Sequence, residues 1–212
     1  MKKQFIAVEG PIGVGKSTLA NLLADAGSAY YLHDTENTNP YLPAFYTQGN
    51  SMAFHTQMHF LMSRLQVLEN PAVVNPVQPI VADFMLEKDR LFAELTLDEQ
   101  EWWMYTGLYE RMTANCPKPD FVIYLQAPLS RLIQRIEKRG IADEQRIGSH
   151  YLQQVIDQYE QFFHNYTSTP LLIVNASDIN LVDNSSDISA LLSQIGSIDG
   201  GRHFYNPSIT SA

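Results

Sequence analysis

Short apolar runs at 4–8, 29–32, 78–82, 121–126 and 171–174 punctuate this chain, the run at 29–32 being the weakest. Each has the length of a buried strand, and the stretches between them carry apolar residues at helical spacing. This alternation predicts an α/β fold, a parallel sheet of about five strands flanked by helices on both faces. The helices are marked more sharply than the strands. Leu152, Val155, Ile156, Tyr159, Phe162, Phe163 and Tyr166 form one continuous stripe, and Phe54, Met58, Leu61, Leu65 and Leu68 form another within 51–69. Thr96 followed by Glu99 reads as a capping box opening the helix that carries Trp102 and Trp103. Pro128 and Gly140 stand where a further helix starts and stops. No repeat or linker divides residues 1–197, which read as a single domain. Residues 198–212, with Gly200 and Gly201 and no apolar periodicity, read as a peripheral or mobile tail.

Composition narrows the partners. A length of 212 residues suits one domain, and a net charge of −9 argues against a nucleic-acid polymer, which calls for a basic face. The single cysteine, Cys116, excludes an internal disulfide and points to a reducing compartment. The first apolar run is soon interrupted by Glu9, and no stretch approaches the roughly 20 apolar residues of a membrane span. A cytoplasmic protein without a membrane partner is the expectation.

The chemistry begins at Gly10-Pro11-Ile12-Gly13-Val14-Gly15-Lys16-Ser17-Thr18, which matches G-x-x-x-x-G-K-[ST] between a strand and a helix. Glycines at Gly10, Gly13 and Gly15 let backbone N–H groups, that of Val14 included, turn toward phosphate oxygens. The helix start at Lys16, Ser17 and Thr18 adds the positive end of a dipole. Lys16 would reach the β- and γ-phosphates of ATP, and the Ser17 hydroxyl would ligate Mg²⁺. A guanine-reading Asn-Lys-x-Asp motif is absent, which turns the reading from a GTPase to a small kinase. Such an enzyme needs a carboxylate near the acceptor, another near the metal, and a cationic lid. Asp83, closing the run at 78–82, would stand at the same sheet edge as the loop and hold Mg²⁺ with Ser17. Gln57 and Arg64 share one helix face with Phe60. Arg131, Arg135, Lys138 and Arg139 make a cationic stripe on another helix.

The stretch Glu36-Asn37-Thr38-Asn39-Pro40-Tyr41-Leu42, then Phe45-Tyr46, Gln57 and Arg64, resembles the acceptor side of the deoxynucleoside kinases. The resemblance continues through Asp83, the run 87–93, Arg135, Arg139-Gly140 and Glu144 to the strand at 171–175, and is nearest the bacterial deoxyadenosine/deoxyguanosine kinases. It implies a P-loop fold with a helical lid and transfer of the γ-phosphate of ATP to a deoxynucleoside 5′-hydroxyl, with a purine as the expected base. By that resemblance Glu36 contacts the 5′-hydroxyl as general base, and Gln57 reads the base with Arg64 and Asp89. Tyr46 and Glu144 would bind the sugar 3′-hydroxyl, Phe92 would stack on the base, and Arg135 and Arg139 would belong to the lid. A homodimer is implied as well. Two positions depart from the pattern: Phe84 and Ile141 stand where many relatives carry phosphate-contacting arginines. A nucleoside-monophosphate kinase and a non-catalytic nucleotide-binding module are the rival readings.

Overall fold

The apolar runs become strands because each has apolar faces to bury on both sides. In the computed structural model, which describes residues 3–34, 39–177 and 185–206, β1 (Phe5–Glu9), β2 (Tyr30–Leu32), β3 (Ile80–Ala82), β4 (Phe121–Gln126) and β5 (Leu171–Asn175) fall on those runs. They pair in parallel in the order β2-β3-β1-β4-β5, with β6 (Arg202–Tyr205) at the outer edge. The sheet therefore has six strands, one more than expected. Residues 202–205 of the expected tail form that edge strand. Leu171 pairs with Arg202 and Val174 with Tyr205, so these residues are held by a ladder although no apolar pattern announces them.

Nine helices cover the sheet in the described residues: α1 (Lys16–Gly27), α2 (Leu42–Gln48), α3 (Ala53–Leu68), the single turn α4 (Pro71–Val74), α5 (Glu87–Thr96), α6 (Glu99–Thr113), α7 (Leu129–Arg139), α8 (Ser149–Asn165) and α9 (Ser185–Ser197). The alternation of β4 shows the layering. Phe121, Ile123 and Leu125 pack with Leu19, Leu132 and Leu191, on the side of α1, α7 and α9. Val122 and Tyr124 face Leu91, Tyr159 and Phe163, on the side of α5 and α8. Tyr124 stacks on Phe163 with ring centroids 4.2 Å apart, so the stripe read on α8 is spent on the sheet. Full burial of side chains of this size stabilises by roughly 1.5–3 kcal/mol each.

Two helix boundaries test the end signals. Pro128 and Gly140 flank α7 as read, with Gly140 in the left-handed region at φ 69°. The capping box lies two residues later than its sequence reading. Asp98, not Thr96, accepts from the backbone N–H groups of Gln100 and Glu101, and Glu101 answers to the Asp98 N–H. Thr96 instead ends α5, its hydroxyl donating back to the Phe92 carbonyl.

Candidate active site

β1 runs straight into the phosphate loop, and the loop's shape follows from its glycines. Gly10 has φ 148°, and a Cβ there would lie 2.5 Å from the Leu125 carbonyl oxygen of the neighbouring strand. Gly13 and Gly15 also hold positive φ, and the Val14 N–H closes a turn onto the Pro11 carbonyl at 3.2 Å. Lys16 is buried with its ammonium on the Gly10 and Pro11 carbonyls at 2.9 and 3.3 Å, while Ser17 and Thr18 are exposed at the start of α1. Backbone donors and a helix N-terminus facing outward suit phosphate oxygens.

Glu9, the residue before the loop, is a functional candidate that the sequence showed only as an acidic end to an apolar run. Its buried carboxylate accepts from the Gly10 N–H at 3.0 Å, the Met85 N–H at 2.8 Å and the Tyr159 hydroxyl at 2.9 Å. Burial pushes its pKa up, against the nearby charges of Lys88 and Lys16. It fixes the loop's first residue to β3's continuation and to α8.

Asp83 lies one residue past β3 at this same edge, as expected. It accepts from the Tyr31 hydroxyl at 2.9 Å and the Asp34 N–H at 2.6 Å, with His33 Nδ1 at 3.2 Å. The Tyr31 hydroxyl also stands 3.5 Å from the Ser17 carbonyl, so one side chain bridges the two expected metal residues. Burial first, and Asp83 beside it, push the Tyr31 pKa far up. No group of three or more histidine, cysteine or acidic side chains able to hold a metal occurs among the described residues. A hydroxyl and a single carboxylate fit Mg²⁺, which keeps waters and phosphate oxygens rather than taking an all-protein cage.

Beside the loop lies a cavity of about 100 Å³. Tyr46 from α2, Gln57 and Arg64 from α3, Phe92 from α5 and Glu144 all line it, so five residues expected to bind substrate do share one pocket. Ile12 of the phosphate loop lines it too, as do Lys88 and Ile141. Phe92 meets Tyr159 edge-on at 6.3 Å, which leaves a ring held by packing on the wall. Glu144 pairs with Arg139 through one oxygen, and its other oxygen is buried without a partner among the described residues. Gln57 is buried, donating from Nε2 to Thr96 Oγ1 at 3.2 Å. Glu36 lies outside the described residues.

Arg64 carries more than its sequence spacing indicates. Its Nε and Nη2 each bind Asp34 at 2.9 Å, its Nη1 binds Asp89, and Lys88 Nζ meets Asp34 at 2.8 Å. Asp89 is fully buried behind Arg64 and is absent from the pocket wall, so it positions the guanidinium instead of meeting a ligand first. Asp34 was missed because its partners are 30 and 54 residues away. Burial alone would raise its pKa, but Arg64 and Lys88 hold the carboxyl well below the usual carboxylate range. Asp89, pushed up by burial and by Asp34 against the pull of Arg64, reaches about 6. Phe84, one of the two departures, is buried with its ring 5.9 Å from the Arg64 guanidinium, and Phe60 lies on it at 5.0 Å.

The two arginines expected in a lid divide. Arg135 donates to the Val14 carbonyl at 3.1 Å and the Ala176 carbonyl at 2.7 Å, bracing the phosphate loop. Arg139, exposed on the last turn of α7, is held by Glu144.

A parallel sheet with this loop at the end of its central strand and a pocket at the same edge defines a P-loop nucleotide-dependent enzyme. The chain belongs to the deoxynucleoside kinase family, whose model matches residues 6–198, and it is a phosphotransferase of that family. It is 36% identical over 197 residues to the deoxyguanosine kinase of Bacillus subtilis (strain 168), covering 90% of this chain and 95% of that one. The deoxyadenosine/deoxycytidine kinase of the same organism is 31% identical over 206 residues, covering 93% and 94%. Among solved structures, the deoxyadenosine kinase of M. mycoides with bound dATP superposes with a TM-score of 0.78 at 25% identity, over 92% of this chain and 100% of the other. The same enzyme with bound dCTP gives 0.78 at 26%, over the same shares.

Proposed function

We propose that the protein transfers the γ-phosphate of ATP to the 5′-hydroxyl of a purine deoxynucleoside, with Mg²⁺. The carrying observation is that Ile12 of the phosphate loop and the side chains Tyr46, Gln57, Phe92 and Glu144 line one cavity, which brings donor and acceptor within reach. Bound Mg²⁺ would neutralise phosphate charge, with Ser17 and Asp83 as its protein holders. Lys16 swings from the loop carbonyls to the β- and γ-phosphates. Phe92 and Gln57 orient the base, and Tyr46 and Glu144 take the sugar hydroxyl. Arg139 and Arg135 complete the phosphate side, Arg139 after leaving Glu144. A carboxylate of the loop after β2, Glu36 by resemblance, accepts the proton, while Asp34 seats the pocket cations Arg64 and Lys88. The relative named for deoxyguanosine supports the purine, and the one named for deoxyadenosine and deoxycytidine supports it through the first of its two substrates alone.

The monophosphate-kinase reading is weaker on a specific ground. It needs cations for an acceptor phosphate, and the basic residues on the pocket wall, Arg64 and Lys88, are already paired with Asp34 and Asp89. A homodimer and a cytoplasmic location remain part of the proposal. Among the described residues no helix is long and apolar enough to cross a membrane.

The test is ADP release from purified protein with Mg-ATP against deoxynucleosides, ribonucleosides and their 5′-monophosphates. Turnover on one or two purine deoxynucleosides is the expected result. Turnover on monophosphates alone moves the acceptor assignment to the rival kinase, and ATP binding with silence across the panel leaves a binding module.

A further inference from the structure

We propose that Thr96 is a positioning residue for base selectivity: it locks the Gln57 amide in one orientation, and so fixes which donor–acceptor order of a purine edge the pocket accepts. The inference rests on the nucleoside-kinase reading of that pocket and adds a residue that lies behind its wall.

A hydroxyl has one proton to give. That of Thr96 goes to the Phe92 carbonyl one turn back, at 2.7 Å. Toward Gln57 the Thr96 oxygen can therefore only accept, and it does, from Nε2 at 3.2 Å. Turning the amide over would set Oε1 against the lone pairs of Oγ1 with no proton between them. The alternative, rotating the hydroxyl toward Gln57, would strip the Phe92 carbonyl of its donor. Both threonine and glutamine are buried, so water cannot relieve either arrangement. The network, rather than the shape of the amide, decides which end is oxygen.

The consequence appears on the other atom. Gln57 Oε1 is buried and has no hydrogen-bond partner among the described residues. An unmatched buried acceptor on a pocket wall is costly, and a ligand N–H relieves it. An amide nitrogen carries a second hydrogen, so the locked amide offers acceptor and donor in one fixed order. A 6-amino purine presents an amine donor beside the N1 acceptor. A 6-oxo purine presents a carbonyl acceptor beside the N1 donor, the opposite order. An amide free to turn would serve both; a locked one favours whichever order its seating meets. The last turn of α5 thus carries the wall ring Phe92 and, four residues on, the lock.

The experiment compares kcat/KM for deoxyadenosine and deoxyguanosine in the unaltered chain, in Thr96→Val and in Thr96→Ser. Valine keeps the shape without the hydroxyl and serine keeps the hydroxyl. The unaltered chain should discriminate, and Thr96→Val should move the ratio toward unity by about tenfold or more. The change should come through the nucleoside KM with the KM for ATP unmoved, and Thr96→Ser should keep the ratio. Should the valine variant not fold, Thr96→Ala against Thr96→Ser reads the same contrast. Turnover with an unmoved ratio, or no discrimination in the unaltered chain, overturns the lock alone. No turnover of any nucleoside by the unaltered chain overturns the proposed function and the lock with it.

Discussion

Arg64 holds Asp34 through two parallel hydrogen bonds, Nε to Oδ1 and Nη2 to Oδ2, each 2.9 Å long and between buried side chains. The pair links the end of β2 to α3, and through Asp89 and Lys88 it reaches α5. Such a buried ionic cluster is costly to assemble and more costly to break, since each removed partner leaves a charge without compensation. Arg64→Met should lower stability by about 3–5 kcal/mol. Adding Asp34→Asn to it should recover part of that loss, because the orphaned charge goes too. Urea unfolding of the single and double variants measures both, and a loss below about 1 kcal/mol for the single variant would show that the cluster relaxes freely.

The same cluster gives stability opposite pH slopes. Asp34 has a depressed pKa in the folded chain, so its contribution is present above the ordinary carboxylate range and is lost as the medium becomes strongly acid. Asp89 is the reverse case. With its pKa at about 6, the folded chain holds a proton that the unfolded chain has released above about 4. Its contribution is full below about pH 4 and is lost as pH rises through about 6. Asp89→Asn removes that titration. The stability of the unaltered chain minus that of Asp89→Asn should fall by up to about 3 kcal/mol between pH 4 and pH 7. A difference that stays flat across the range would place the Asp89 proton elsewhere.

The proton acceptor separates two neighbouring carboxylates. Glu36→Gln should lower kcat by about a hundredfold or more if the resemblance carries its role, with nucleoside affinity largely kept. Asp34→Asn would then act on stability and on the seating of Arg64, raising the nucleoside KM more than it lowers kcat. The opposite split, a collapse of kcat in Asp34→Asn beside a near-normal Glu36→Gln, removes the base role from Glu36. Steady-state kinetics on both variants, with urea midpoints to set aside unfolding, decides between them.

How much of this could be read from the chain depended on sequence distance. The phosphate loop is local: strand, glycines, lysine, serine and helix follow one another from Phe5 to Gly27, so spacing alone fixed its place. Strands β1 to β5 were legible because each falls on an apolar run, weakest at the edge strand β2, whereas β6, Arg202–Tyr205, alternates exposed and half-buried residues and gains its place only by pairing with β5. Gln57, Arg64, Tyr46, Phe92 and Glu144 were named by resemblance, and they line one cavity. Asp34 and Glu9 were not, since a lone acidic residue at a strand end looks alike whether it faces water or a buried arginine. Their meaning comes from Arg64, Lys88, Met85 and Tyr159, each brought in by tertiary packing. The shift of the capping box from Thr96 to Asp98 has the same origin, because the Thr96 hydroxyl is already committed to Phe92 and Gln57.

Lys16 offers the sharpest separation of binding from folding. In the folded chain its ammonium rests on the Gly10 and Pro11 carbonyls, contacts that a water could replace at this edge with little loss. Under the proposed function it has a different part toward ATP, as a point charge on oxygens whose negative charge redistributes during transfer. Lys16→Ala should therefore leave the unfolding free energy within about 1 kcal/mol of that of the unaltered chain while lowering kcat by at least about a hundredfold. Lys16→Arg should not restore the rate, because a planar fork does not fit the space between two loop carbonyls that a compact ammonium fills. Turnover retained in Lys16→Ala would remove the loop from the chemistry, whatever its shape. A large loss of stability without a change in kcat would reduce the lysine to a brace for Gly10.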